Sequence, residues 1–158
     1  MAVSLILSKL DYCNCLFFDM SEENFHKLQL LQNHAARVVM KAKKRSSASA
    51  LLKELHWLPV KQRVFYKIAL LVFKCLNVEN FPTYLKDLIA VYSPSRSLRS
   101  ADKCLLVKPF KNLKFGRKSF HYSAPFVWNQ LPHDIRTCTN LHTFKKMLKT
   151  HYFRLAFS

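Results

Sequence analysis

The sequence predicts a mainly α fold, an irregular multi-helix bundle with a long basic loop and room for one short β-hairpin. Three observations carry that prediction. A chain of 158 residues holds a single glycine, Gly116, where average usage of about 7% would supply roughly eleven, and tight β-turns lean on glycine. Apolar residues recur at helical spacing through most of the chain. Four of the six prolines, Pro59, Pro82, Pro125 and Pro132, fall where helices start or stop.

Val3 to Phe18 is apolar enough for a helix that packs on most sides, with Lys9 and Asp11 as its charges. Ser21 is placed to cap the next helix, with Glu22 and Glu23 in its first turn where carboxylates favour the dipole. Phe25, Leu28, Leu31, Ala35 and Val38 then mark one face of a helix over residues 21 to 43. KRSSASA breaks it, and Ala50 to Leu55 forms a short helical piece. In HWLPV, Pro59 disfavours helical geometry at Leu58 but suits the first turn of a new helix. One helix therefore ends near Leu55 and the central core helix, residues 60 to 77, begins near Pro59. Trp57 is expected to fill the corner, and as a buried aromatic its truncation would cost about 3 to 5 kcal/mol. Pro82 starts a short helix ending near Ile89.

Residues 90 to 118 carry eight Lys or Arg against one acid, Asp102. Leu105 to Lys108 suits a short strand paired with residues around Leu113 to Phe115. Ser123 is placed to cap a helix with Pro125 in its first turn and Val127, Trp128 and Leu131 on its apolar face, stopped by Pro132. Asn140 opens the last helix, with Leu141, Phe144, Leu148, Tyr152 and Leu155 inward and Lys145, Lys146, Lys149 and Arg154 outward. These segments read as a helical region over 1–89, a basic linker or hairpin over 90–118 and a carboxy-terminal helical extension over 119–158, together one compact unit.

Twenty-six Lys and Arg against nine acids leave a net charge of +17. Such an excess repels itself unless a polyanion neutralises part of it, so RNA or DNA is the expected partner. Five cysteines, odd in number and irregularly spaced, fit a reducing compartment. AVSLIL is too short for a signal-peptide core and no segment spans a membrane, so the chain is expected to be soluble and intracellular. Two-metal polymerases and nucleases need clustered carboxylates, and the one adjacent pair, Glu22 and Glu23, sits at a helix start. Cys13-x-Cys15 and Cys138-x3-His142 lack a second pair at zinc spacing. No glycine-rich phosphate loop or nucleophile motif is present. No metal, no cofactor and no independent catalysis are expected.

The basic residues are the stronger functional signal. His34, Arg37, Lys41 and Lys44 follow at three or four residues, a line along one helix face with Lys43 and Arg45 beside it. Lys61 and Arg63, just past the joint, are further phosphate candidates. Arg96, Arg99, Lys103, Lys108, Lys111, Lys114, Arg117 and Lys118 interleave with Tyr92, Phe110 and Phe115, which suits phosphate contact with sequence-tolerant stacking. His56 reads as structural at a helix break, although a histidine there is also chemically able to act as acid or base.

SKLDYCN, KLQLLQNHAARVV, LLKELHWLPVKQRVFYKIALLVFKCLN, PTYLKDLI, YSPSRSLRSAD, SAPFVWNQLPHDIR and FKKMLKTHYFRLAF occur in that order. Together they resemble the carboxy-terminal region of reverse transcriptases from non-LTR retrotransposons (LINEs), most of all the CR1, L2 and jockey-like groups. The resemblance implies a position behind the polymerase palm, in the thumb and a helical extension after it. It implies a non-catalytic role in which template and primer are held through their phosphates. Nothing in the chain matches the family's aspartate-pair motif, so no catalytic residue is carried over. Asp11, Tyr12, Asn14, Gln32, Arg37, His56, Trp57, Pro59, Arg63, Arg96, Arg99, Trp128, Pro132 and Arg136 match family-like positions, with His56, Trp57, Pro59, Trp128 and Pro132 as a structural signature. CLFFDMSEEN departs from the family's pattern in lacking glycine. Met1 just before SKLDYCN is expected to be an internal start in a truncated element, which leaves two alternatives to nucleic-acid binding. One is an interaction module that packs on a parent enzyme's palm or on itself, and the other is a relic without function.

Overall fold

The computed structural model describes residues 3–93, 104–110 and 114–158, with side chains from 5 and, in the last segment, from 116. The fold is mainly α, and the described residues contain no strand or sheet. Its contacts divide into two units, Met1–Tyr66 with Lys149–Ser158, and Lys67–Leu148. The helices α4 (Val60–Asn77) and α9 (Leu141–Phe157) each contribute residues to both.

In the first unit the amino-terminal apolar run does not form one helix. A π-helical turn at Val3–Leu7 leads into α1 (Ser8–Asp11), and the chain then enters the left-handed region at Cys13 before a 3-10 turn over Asn14–Phe17. Leu7, Leu10, Asn14 and Phe18 are buried, whereas Leu5, Tyr12 and Leu16 face solvent.

The next helix, α2 (Glu22–Val39), starts where Ser21 Oγ accepts the Asn24 N–H at 3.4 Å. It ends four residues before the expected 43. Lys41 takes a φ of 48°, and its N–H reaches Val38 C=O at 3.3 Å while the Ala42 N–H reaches Arg37 C=O at 2.9 Å. That pair of bonds is a Schellman cap, which satisfies the last carbonyls and turns the chain away. The buried stripe also differs from the expected one. Phe25, Gln32, Ala35 and Ala36 point inward, while Leu31 and Val38 are 53% and 71% exposed. A buried glutamine outranks leucines here because of what its amide reaches.

The same cap ends α3 (Ala48–Glu54). His56 has a φ of 52°, its N–H bonds Lys53 C=O at 3.1 Å, and the Trp57 N–H bonds Leu52 C=O at 2.9 Å. HWLPV is therefore a joint built from a helix stop and a helix start. Pro59 C=O accepts the Arg63 N–H at 3.0 Å, the first bond of α4. Two α2 side chains grip the joint. Gln32 Nε2 donates to Leu58 C=O at 2.9 Å, and Gln29 Oε1 accepts the Val60 N–H at 2.9 Å. Gln29 Nε2 in turn donates to Gln32 Oε1 at 3.0 Å and Asn33 Oδ1 at 2.9 Å, locking both amides. Trp57 is half-buried, not a filled corner, because the cap spends its backbone on α3 while Leu58 takes the inward place. Phe65 bridges Phe18 (ring centroids 6.0 Å) and Tyr152 (6.3 Å), which brings α9 into this unit's core.

In the second unit Val64's successors Ile68, Ala69, Val72 and Phe73 are buried. Phe73 stacks on Phe144 at 4.2 Å, and Phe144 on Trp128 at 6.0 Å. After α5 (Thr83–Lys86) comes an isolated antiparallel bridge between Val91 and Leu106. The expected hairpin partner near 113 to 115 is not used, since Lys114 opens α6 (Lys114–Arg117). Leu106 is held instead by Asn129, whose Oδ1 accepts the Leu106 N–H at 2.9 Å and whose Nδ2 donates to Leu106 C=O at 2.8 Å. Trp128 Nε1 donates to Cys104 C=O at 2.9 Å. The end of a later helix, α7 (Phe120–Trp128), thus fixes this segment as a neighbouring strand would.

The start of α7 (Phe120–Trp128) lies earlier than expected. Ser119 flanks it, and Ser123 and Pro125 are buried inside the helix. Pro132 precedes α8 (His133–Arg136). Asn140 Oδ1 accepts the N–H groups of His142 at 2.9 Å and Thr143 at 3.1 Å, capping α9. Phe144, Leu148 and Tyr152 are buried but Leu155 is 63% exposed.

Removing the Gln32 amide leaves the Leu58 carbonyl buried and unpaired, so Gln32→Ala should cost about 2 to 4 kcal/mol, the unsatisfied group plus lost packing. Trp57→Ala, half-buried, should cost less, about 2 kcal/mol against the 3 to 5 of a fully buried aromatic. Urea melts that ranked the two in the opposite order would contradict the clamp.

Candidate nucleic-acid interface

The basic candidates of the first unit fall into two electrostatic groups. Lys61 and Arg63, on the first turn of α4, already have acids. Arg63 Nε donates to Asp11 Oδ1 at 2.7 Å and a second guanidinium nitrogen donates to Asp11 Oδ2, a two-pronged pair with side chains 18% and 44% exposed. Asn14 Nδ2 lies 3.5 Å from the same carboxylate. This pair ties α1 to α4, and its acid lies 52 positions from its base, beyond any spacing rule. Lys61 Nζ meets Glu22 Oε1 at 2.6 Å and stands 5.9 Å from the centroid of the Phe25 ring.

The other group follows the α2 cap. Because α2 stops at Val39, Lys41, Lys43, Lys44 and Arg45 do not continue the helix face begun by His34 and Arg37. They stand on a loop, all exposed, and make no ion pair among the described residues. Arg37 is half-buried and serves that loop, its guanidinium donating to Ser46 C=O at 3.3 Å, while its Nε is buried without a partner. A cap at one end and an arginine strut at the other thus hold four cations in a short exposed bow.

In the second unit Lys108, Arg117 and Lys118 are exposed, as is Phe110. Arg96, Arg99, Lys103 and Lys111 lie outside the described residues, and Lys114 is described in its backbone alone. Of the structural signature, His56 is the exposed cap residue, its ring 5.6 Å from Phe153, Trp57 and Pro59 are half-buried, Trp128 is 1% exposed and Pro132 is exposed. Arg136 leans on Asn129 C=O at 3.5 Å.

A cleft of about 580 Å³ opens in the first unit where α2, α3, the start of α4 and the end of α9 meet. Phe25, Asn33, Ser49, Gln62 and Phe157 are among its walls. The sequence does not announce it: its residues come from separate segments, and although several lie within the ordered motifs (Gln29, Asn33, Pro59, Gln62, Phe157), nothing in those motifs says that they meet. Among the described residues no three His, Cys, Asp or Glu side chains gather as metal ligands, and no helix is long and apolar enough to cross a membrane.

Burial shapes the titrating groups. Tyr152 is pushed far above the ordinary tyrosine range and Tyr66 is raised, both by desolvation. The Cys75 thiol is pushed up by burial against a smaller opposing pull from Lys86. His151, edge-on to Tyr152 at 5.2 Å, is pushed down by burial.

No protein-family model, no curated protein and no solved structure matches the chain.

Arg63→Ala should lower stability by about 1.5 to 3 kcal/mol, the worth of a charge-assisted hydrogen-bonded group, whereas Lys44→Ala should stay within about 0.5 kcal/mol. Parallel urea titrations separate them. His151 binds its proton more weakly folded than unfolded. Its contribution is therefore intact above the ordinary histidine value of about 6.5 and lost as pH falls through the lower folded value. A melting temperature that drops on acidification below that window, and drops less in His151→Gln, is the expected result.

Proposed function

We propose that the chain is a non-catalytic nucleic-acid-binding element, similar to the thumb and post-thumb of a non-LTR retrotransposon reverse transcriptase, that holds template and primer through their phosphate backbone. The observation that carries this reading is the bow formed by Lys41, Lys43, Lys44 and Arg45. Phosphate contact needs exposed cations whose charge is not already spent, held on a scaffold that limits the entropy lost on binding. The bow meets both conditions, since its cations have no acid partner among the described residues and both its ends are anchored. Lys61 and Arg63 rank lower because Glu22 and Asp11 already neutralise them. Lys108, Arg117 and Lys118 are exposed in the second unit and extend the candidate set. The mainly helical fold and the joint at HWLPV support the resemblance that the ordered motifs carry.

A second reading, a protein interaction module, draws on a different surface. Leu30, Leu31, Val38 and Val39 of α2 are exposed apolar residues on one helix, with Tyr12 and Leu16 exposed in the segment before it. Apolar groups gathered this way commonly mark contact with another protein.

Binding should be tolerant of sequence and steep in salt, with a slope of about 0.7 to 0.9 per phosphate neutralised. In filter binding from about 50 to about 300 mM salt, alanine at all four bow positions should lower that slope by roughly 3, while Lys61→Ala changes it by less than one. Retention of neither RNA nor DNA at the lowest salt would overturn the proposal.

A further inference from the structure

We propose that the cleft between α2, α3, α4 and the end of α9 seats one unpaired nucleobase of the bound single strand. This rests on the phosphate-binding reading and adds to it a site for the part of the nucleotide that the bow cannot hold.

The size is right, since pockets that hold small organic ligands run from about 300 to 1,000 Å³ and this one is about 580 Å³. Its walls suit a flat, aromatic, hydrogen-bonding occupant. Phe157, half-buried, offers ring surface, and the buried Phe25 and Leu52 with Pro59 add apolar wall. Gln62 brings an amide that makes no hydrogen bond among the described residues, and Asn33 keeps its Nδ2 unpaired while its Oδ1 accepts from Gln29. An amide offers a donor and an acceptor side by side, the pattern that the edge of a nucleobase presents.

Charge argues for a base inside the cleft and against a phosphate. The one lysine lining it, Lys61, is paired with Glu22, and that carboxylate lines the cleft as well. A phosphate placed there would meet a neutralised cation and an acid. The unspent cations lie just outside, on the bow. Arg45 precedes Ala48, a cleft residue, by three positions, a reach of at most about 11 Å. Phosphates resting on the bow therefore leave a base within range of the cleft. Stacking on a phenylalanine accepts every base, because each has a π face, so the seat adds affinity without adding sequence preference.

The test compares a short single-stranded oligodeoxynucleotide with an abasic strand carrying the same number of phosphates, both titrated onto the intact chain. The base-bearing strand should bind roughly tenfold tighter, the scale of one stacked base. Ser49→Trp, an exposed position on the cleft wall, should fill the space, and Gln62→Ala should remove the amide. Each should shrink the preference for the base-bearing strand while leaving abasic affinity, salt slope and melting temperature unchanged. Equal binding of the two strands to the unaltered chain would overturn the base seat and leave phosphate binding standing. Retention of neither strand would overturn both. A preference that survived in both variants, each still folded by its melt, would place the stacking elsewhere and overturn the assignment to this cleft.

Discussion

The first unit depends on two glutamine amides. A helix-to-helix joint frees backbone groups that neither helix can satisfy, and at Leu58-Pro59-Val60 the proline removes a donor besides. Gln32 supplies the donor that Leu58 needs and Gln29 the acceptor that Val60 needs, while the two amides bond each other. The result is a connected polar network, part-buried, in which each amide helps fix the other and so specifies one arrangement of the joint. Once α2 is tied to the joint, the end of α3 and the start of α4 have little freedom left. The cleft is walled in part by that corner, with Gln29 and Pro59 on its lining.

Charge is distributed by the same geometry. Asp11 and Glu22 are drawn to the first turn of α4 and Glu23 is spent within α2 on Lys27. Three of the nine acids are spent this way, and among the described residues none of them pairs with Lys41, Lys43, Lys44 or Arg45. Surface pairs of this kind contribute little to stability, and the part-buried Asp11–Arg63 pair contributes more. Where the acids go therefore decides where positive potential remains, and it remains on the loop that follows α2.

Local chemistry made the element boundaries legible. Serine, proline and asparagine marked the starts of α2, α4 and α9 because capping needs only neighbours in sequence. The failures share a cause. The early stop of α2 came from a lysine in a left-handed position that glycine ordinarily fills, and no pattern announces such a substitution. Leu31 and Val38 fit a helical stripe but lost the inward positions to Gln32 and Ala36, because tertiary contact with the joint outweighs hydropathy. Ser123 had the local signature of a cap, yet the helix begins earlier and buries it. Within the candidate site the basic residues were visible as a cluster. The acids that claim Arg63 and Lys61, 52 and 39 positions away, were not, and neither were the amides and rings that line the cleft.

The scarcity of glycine has one more consequence. Lys41 and His56 close their helices in a conformation that favours a residue with no side chain, so each position trades some thermal tolerance for the group it carries. Glycine at Lys41 would relax the backbone and delete a charge from the bow. A laboratory selection for heat resistance and one for polyanion affinity would therefore push that codon in opposite directions, which makes Lys41 a place to read which pressure shaped this chain.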